Sequence, residues 1–236
     1  MSHTLAVVNG MFFDSKTMSD SHARRIVDLL PEHTDLVAVC EMGKSIRSTF
    51  GKALNRNRGG RWSRKGAADG MGHEGVNGIF WDRRVWDFPD AGRVRYKTLA
   101  SGGQWPRFLV AVRLVEVEEP GEFLQAGAFH LAAKGSPLSA TQADRVKRVQ
   151  TDQLGDFMGD RRIIMGGDFP RTGDDDDLAA LKRNGYRVNG RTDRTPLVSI
   201  SHGAITVTGT RIVESGSLLD HDIHTTTFSL PRKALA

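Results

Sequence analysis

Six polar side chains in this chain stand directly after short apolar runs. Asn9 follows Leu5-Ala6-Val7-Val8, Glu41 follows Leu36-Val37-Ala38-Val39-Cys40, and His130 closes the run from Phe123 to Phe129. Asp168 follows Ile163-Ile164-Met165-Gly166-Gly167, and the pair Asp220-His221 follows Leu218-Leu219. Apolar runs of four to eight residues are strand-sized, and the ends of neighbouring strands gather in space. Carboxylate and amide oxygens suit a hard cation such as Mg²⁺ or Mn²⁺, and imidazoles move protons near neutral pH. No Cys/His cluster has zinc spacing, so zinc-finger and zinc-ribbon chemistry is excluded.

Taken singly, each of these residues has a bland reading. Glu41 could be a solvated turn residue, Asn9-Gly10 a hairpin turn, and Asp168 a turn or helix cap after its two glycines. His130 could be a satisfied core histidine and His221 a surface one. Their succession at the ends of apolar runs favours the functional reading.

The elements that must position them are legible in the spacing. Ser19 or Asp20 can cap a helix whose Ala23, Ile26, Val27 and Leu30 share one face, and Pro31 stops it. Strands are expected over Leu5–Asn9, Leu36–Cys40, Val76–Trp81, Val94–Tyr96, Phe108–Val115 and Phe123–Phe129, the later ones in a largely antiparallel meander. Ser139 and Gln142 form a capping box for a second helix of four to five turns, with Val146, Val149, Leu154, Phe157 and Met158 along its apolar stripe. Further strands are expected over Ile163–Met165, Leu197–Ile200, Ile205–Val207, Arg211–Val213 and Thr225–Leu230. The run Asp174–Asp177 suits the positive end of a helix better than a second metal site. Two such halves suggest two packed sheets with helices outside, an α/β (α+β) sandwich forming one domain over residues 1–236.

Composition narrows the class. Hydrophobic residues make up 39% and charged residues 26% of the 236, so a disordered chain is excluded. No apolar run is long enough to span a bilayer, and no signal-peptide core is present, so no membrane association is expected. The single cysteine, Cys40, lies in an apolar run and excludes a disulfide framework, which is compatible with a cytoplasmic location. No obligate protein partner is implied.

The net charge of +5 is concentrated. Lys44, Arg47, Lys52, Arg56, Arg58, Arg61, Arg64 and Lys65 fall within 22 residues that hold no acidic residue, directly after Glu41, with Phe50, Asn55 and Trp62 interleaved. We expect a long basic loop over residues 44–66. Phosphates would supply its affinity for a nucleic-acid strand, and Trp62 could stack on a base. The competing reading is a solubilising loop without a ligand.

In the order of these motifs the chain resembles the endonuclease/exonuclease/phosphatase family, of deoxyribonuclease-I-like fold, over nearly its whole length. Asn9 looks like the family's opening Asn, Glu41 like its metal-binding Glu, and Phe129-His130-Leu131 like its Thr-His-Leu. Gly167-Asp168-Phe169 matches the first three residues of Gly-Asp-Phe-Asn, and Leu219-Asp220-His221 resembles Ser-Asp-His. Arg191-Thr192-Asp193 resembles the Arg-Ile-Asp ahead of a strand, though an exposed turn is an equal reading. Two positions depart: Pro170 replaces the Asn, removing an amide that could hold a phosphoryl oxygen, and Leu219 replaces the Ser.

The resemblance implies a four-layer sandwich and a metal-dependent phosphoesterase. Glu41, Asn9 and Asp220 would hold Mg²⁺ or Mn²⁺, Asp168 would orient or deprotonate the attacking water, and His221 would act as general base or contact the phosphate. Asp193 would fix the His221 tautomer, and His130 would donate to a non-bridging oxygen. His73, Glu74 and His224 are satellites without an assigned role. The expected substrate is a phosphodiester of DNA or RNA, contacted by the basic segment. The alternatives are a phosphomonoesterase or small-molecule phosphodiesterase, since a fold does not fix a substrate, and a nucleic-acid-binding protein that has lost catalysis.

Overall fold

The structure, a computed structural model, describes residues 1–10, 18–66, 77–89, 94–99, 107–119, 121, 123–131, 139–158, 162–169, 181–190 and 196–231. The elements are β1 (Ser2–Asn9), α1 (Asp20–Leu29), β2 (Leu36–Cys40), α2 (Lys44–Asn57), β3 (Trp62–Gly66), β4 (Gly78–Asp82), β5 (Trp86–Asp87) and β6 (Val94–Leu99). They continue with β7 (Arg107–Glu116), β8 (Leu124–His130), α3 (Ala140–Met158), β9 (Ile163–Asp168), β10 (Arg187–Asn189), β11 (Leu197–His202), β12 (Thr206–Val213), a 3-10 turn (Gly216–Leu218) and β13 (Ile223–Ser229).

Two mixed sheets face each other. The first runs β12-β13-β1-β2-β4-β3 and the second β10-β11-β9-β8-β7-β5, with β6 pairing another stretch of β7. Each sheet has one parallel pair at its centre, β1 with β2 and β8 with β9. A parallel pair brings two strand C-termini to the same edge of its sheet, which is the geometric origin of the site described below.

Side-chain alternation sorts the chain into layers. Leu5, Val7, Leu36, Ala38, Val110, Ala126, Ala128 and Ile164 point inward and form the core between the sheets. Ala6, Val8, Val37, Val39 and Phe80 point the other way, onto Ala23, Ile26 and Val27 of α1 and Ile46, Phe50 and Leu54 of α2. On the opposite face Phe129, Ile163, Met165 and Val198 pack under Leu154, Phe157 and Met158 of α3. The result is the expected four-layer sandwich. Each fully buried Val, Leu or Ile contributes roughly 1.5–3 kcal/mol.

The helix caps are as the sequence indicates. The Ser19 hydroxyl accepts from the His22 amide, and Ser139 and Gln142 bond reciprocally at the start of α3.

Three expectations need correction. Residues 44–66 do not form a loop: they form α2 and the edge strand β3. Ile46, Phe50, Ala53 and Leu54 fall on one helical face and are buried, so the segment carries an amphipathic helix despite its charge. Residues 205–207 and 211–213 are not separate strands; one strand, β12, runs through them with an irregularity between Val207 and Gly209. The short strands β5 and β10 were not expected, because two or three residues are too few to show a period.

Candidate active site

Asn9 and Glu41 lie at the C-terminal ends of the parallel pair in one sheet, His130 and Asp168 at those of the facing sheet. Asn9 is in register with Cys40, and His130 with Asp168. Across the gap the Asn9 amide nitrogen donates to Asp168 Oδ2 at 2.9 Å, and the Cys40 thiol donates to the Phe129 carbonyl at 3.1 Å. His130 Nδ1 lies 3.3 Å from Glu41 Oε1. The loop ahead of β13 brings His221 Nε2 to 3.8 Å from the same Asp168 oxygen, with the His221 side chain 30% exposed. Four of the expected residues and His221 thus converge. Asp220, their neighbour, is exposed.

Small residues make the convergence possible. A Cβ on Gly166 would lie 2.5 Å from a Val7 methyl and 2.8 Å from the Ala38 Cβ, so the sheets touch backbone to side chain just below the site. A Cβ on Gly10 would strike Met42 at 2.5 Å, and the Gly10 amide donates to the Cys40 carbonyl at 2.9 Å, extending the β1–β2 pairing past Asn9. The two glycines before Asp168 therefore belong to β9 and serve close approach, not a turn.

Glu41 has φ +55°, the one positive value outside glycine among the described residues. Alternation along β2 would send side chain 41 outward with Val37 and Val39, under the helices. The left-handed turn instead directs its carboxylate across to His130. Such a backbone costs of order 1 kcal/mol or more for a residue with a Cβ and persists where its surroundings hold it. Arg47 is part of that support. Its side chain is buried, 3% exposed, and its Nη1 donates to the Met42 carbonyl at 2.7 Å while the guanidinium fills the space above Gly66 and the Cδ that above Gly78. The sequence reading gave Arg47 to phosphate binding; the structure has it bracing the turn that carries Glu41.

The other basic residues divide likewise. Arg58 wraps the end of α1 and the turn after it, donating to the carbonyls of Val27, Leu30, Pro31 and Glu32, of which Val27 and Pro31 also accept from the Leu30 and Thr34 amides. Arg56 pairs with Asp20 at 3.0 Å on the surface. Trp62 is 8% exposed and packs in the helix-side core, so it offers no open face for stacking. Lys44, Lys52 and Arg61 are exposed, and Lys44 begins α2 three residues after Glu41. Asp193, Pro170, His73, Glu74 and Asp174–Asp177 lie outside the described residues.

The donor set around Glu41 suits a hard cation. Glu41, Asp168 and Asn9 bring carboxylate and amide oxygens to the strand ends, beside the His130 imidazole, and a Mg²⁺ site needs one or two carboxylates with water completing its shell. Among the described residues no three His, Cys, Asp or Glu side chains gather as a metal group by themselves. Of the three residues expected to hold a cation, Asn9 and Glu41 lie where the strand ends meet, and Asp220 is exposed beside His221.

No protein-family profile and no curated protein matches the sequence. Solved structures match over the whole chain. An endonuclease/exonuclease/phosphatase from Bacteroides vulgatus aligns with a TM-score of 0.73 and 13% identity, covering 98% of this chain and 100% of that one. The human Nocturnin catalytic domain with bound sulfate gives 0.70 and 13%, covering 98% and 95%. D. rerio TDP2 complexed with single strand DNA product gives 0.66 and 14%, covering 97% and 99%. The chain has the deoxyribonuclease-I-like fold of the endonuclease/exonuclease/phosphatase structures.

Proposed function

We propose that this chain is a phosphoesterase that depends on Mg²⁺ or Mn²⁺ and cleaves phosphodiester bonds in DNA or RNA. The observation that carries the reading is the meeting of Asn9, Glu41, His130, Asp168 and His221 where the central strands of both sheets end, with Glu41 turned into the gap by a left-handed backbone.

Glu41, with Asn9 and Asp220, would hold the cation. When bound it supplies charge neutralisation and Lewis-acid polarisation at a phosphoryl oxygen. The chain's own groups do the rest. Asp168, fixed by the Asn9 amide, accepts a proton from or orients the attacking water, and His221 beside it takes that proton or contacts the phosphate. His130, steadied by Glu41, donates to a non-bridging oxygen. The long His221–Asp168 separation accords with the loosening that catalytic contacts show before substrate binds.

A panel of supercoiled plasmid, single-stranded DNA, RNA and phosphomonoesters, incubated with Mg²⁺ or Mn²⁺ and with EDTA, tests the reading. Cleavage of a polynucleotide that EDTA abolishes and that Glu41→Gln or His221→Asn removes is the expected result. Full activity in either variant overturns the site assignment.

One observation favours a second reading. Arg47, Arg58 and Trp62, assigned to the substrate from sequence, are engaged in the fold, which removes part of the case for a polynucleotide. A small phosphate ester would then be the substrate, and its turnover should not respond to neutralising Lys44, Lys52 and Arg61.

A further inference from the structure

On the outer face of the first sheet, away from the strand ends, α2 and β3 enclose a groove of about 480 Å³. Ser48, Lys52 and Arg56 line it from the helix, and Trp62, Ser63 and Arg64 from the strand. Gly51 opens its floor: a Cβ there would lie 3.0 Å from Arg64 Nη1 and 3.1 Å from the Phe80 ring. The volume is that of a small-ligand pocket, too little for a duplex.

The groove is held open by fixed geometry. The Asn55 side chain pairs with both backbone groups of Trp62, accepting from its amide at 2.9 Å and donating to its carbonyl at 3.3 Å. Arg64 is anchored by donating to the Arg47 carbonyl at 2.7 Å. Three cations converge on the groove, and among the described residues only Arg56 of the three has an acidic partner, Asp20. No acidic residue occurs between Glu41 and Gly66. The indole N–H of Trp62 is buried without a hydrogen-bond partner among the described residues.

We propose that this groove is a second, non-catalytic contact for the phosphate backbone of a single polynucleotide strand whose scissile bond lies at the strand ends. The inference rests on the polynucleotide reading above. It assigns substrate binding to Ser48, Lys52 and Arg64, of which Ser48 was outside the basic set read from the sequence. Ser48 to Arg56 lie four to twelve residues beyond Lys44, so roughly 6–18 Å along the helix from the site end. A strand longer than a few nucleotides can reach both places, and a short one cannot.

The test measures binding by fluorescence anisotropy in EDTA, with labelled dT and rU oligomers of four and fifteen nucleotides, for the intact chain and for Lys52→Glu and Ser48→Glu. Melting curves establish that both variants fold, and hydrolysis of bis(4-nitrophenyl) phosphate reports the catalytic centre separately. The expected result is a loss of tenfold or more in fifteen-mer affinity on either sugar, a salt dependence shallower by about one phosphate contact, unchanged four-mer binding and unchanged small-diester hydrolysis. Unchanged fifteen-mer binding, equal loss on both lengths, or equally strong competition by poly-aspartate would each overturn the proposal. If the intact chain fails to hydrolyse the diester while Lys52→Glu still weakens the fifteen-mer, the groove stands and the hydrolytic reading falls.

Discussion

The two sheets are bridged at both ends of the sandwich by histidines and carboxylates, yet the two ends are built differently. At the end where β1 begins, His3 is fully buried and both its ring nitrogens are paired. Nδ1 bonds Asp35 Oδ2 at 2.9 Å and Nε2 bonds Glu116 Oε1 at 2.7 Å, joining one sheet to the other. The Thr4 amide donates to the second Asp35 oxygen at 3.2 Å, and the Trp86 ring packs 4.5 Å from the imidazole. At the end where β1 stops, the corresponding separations are 3.3 Å for His130 and Glu41 and 3.8 Å for His221 and Asp168, and His221 reaches solvent. The same residue types thus serve as a closed clamp in one place and as a looser constellation in the other. Histidine–carboxylate contact alone does not mark a site; spacing, exposure and a strained backbone at Glu41 do.

The comparison breaks most visibly through activity. His221→Ala should lower the polynucleotide cleavage rate by roughly 10²–10⁴-fold while leaving the urea midpoint nearly unchanged, since a part-exposed side chain is removed. Its counterpart, Asp35→Ala, should leave cleavage per folded molecule intact and destabilise the chain by about 3–5 kcal/mol, the consequence of stranding a buried imidazolium with half its partners. If Asp35→Ala abolished activity in molecules still folded, the two ends would not be separable in this way.

Proton linkage sharpens the contrast. Burial alone lowers His3, but Asp35 and Glu116 outweigh it, and its pKa is raised; burial raises Asp35 in turn, more than His3 lowers it. A raised folded value means that the clamp stabilises fully below the unfolded imidazole value of about 6.5 and weakens as pH rises through the folded one. His224 behaves oppositely. It is buried in the interior beside Gly190, bonded through Nε2 to Thr226 at 2.9 Å, and burial lowers its pKa to about 4. Its contribution is present above about pH 6.5 and lost as pH falls toward 4, by roughly 3 kcal/mol for a shift of that size. Urea unfolding across pH 4–9 should show both limbs. His224→Gln should flatten the acid limb alone, and His3→Gln the alkaline limb alone.

The smallest effect separates structural from ligand-facing cations. Arg58→Ala should cost about 1–3 kcal/mol, through the side-chain hydrogen bonds lost to the carbonyls at and after the end of α1, without altering oligonucleotide affinity. A drop in affinity with no loss of stability would return Arg58 to the substrate.

Much of the fold was legible because its carriers are local. The Ser19 cap, the Ser139–Gln142 box and the apolar runs ending in Asn9, Glu41, His130 and Asp168 are short-range patterns that tertiary contacts reinforced. The helix over 44–57 was hidden by its chemistry: Gly43 provides no side-chain cap, the first turn holds no acid, and Gly51 interrupts the interior. Its stripe of Ile46, Phe50, Ala53 and Leu54 was the available signal, masked by the density of charge. The roles of Arg47, Arg58 and Trp62 could not be read from spacing, because they depend on what lies across the helix layer. The His3 clamp joins residues 32 and 113 positions apart, a distance no local pattern records.

Gly166 carries a consequence for anyone redesigning this interior. Because the Gly166 backbone rests directly on the Val7 and Ala38 side chains of the facing sheet, no space is left there to take up an added group. A methyl added at that position would wedge the layers apart like a shim under a hinge, and would widen the mouth of the molecule without changing any residue that lines it.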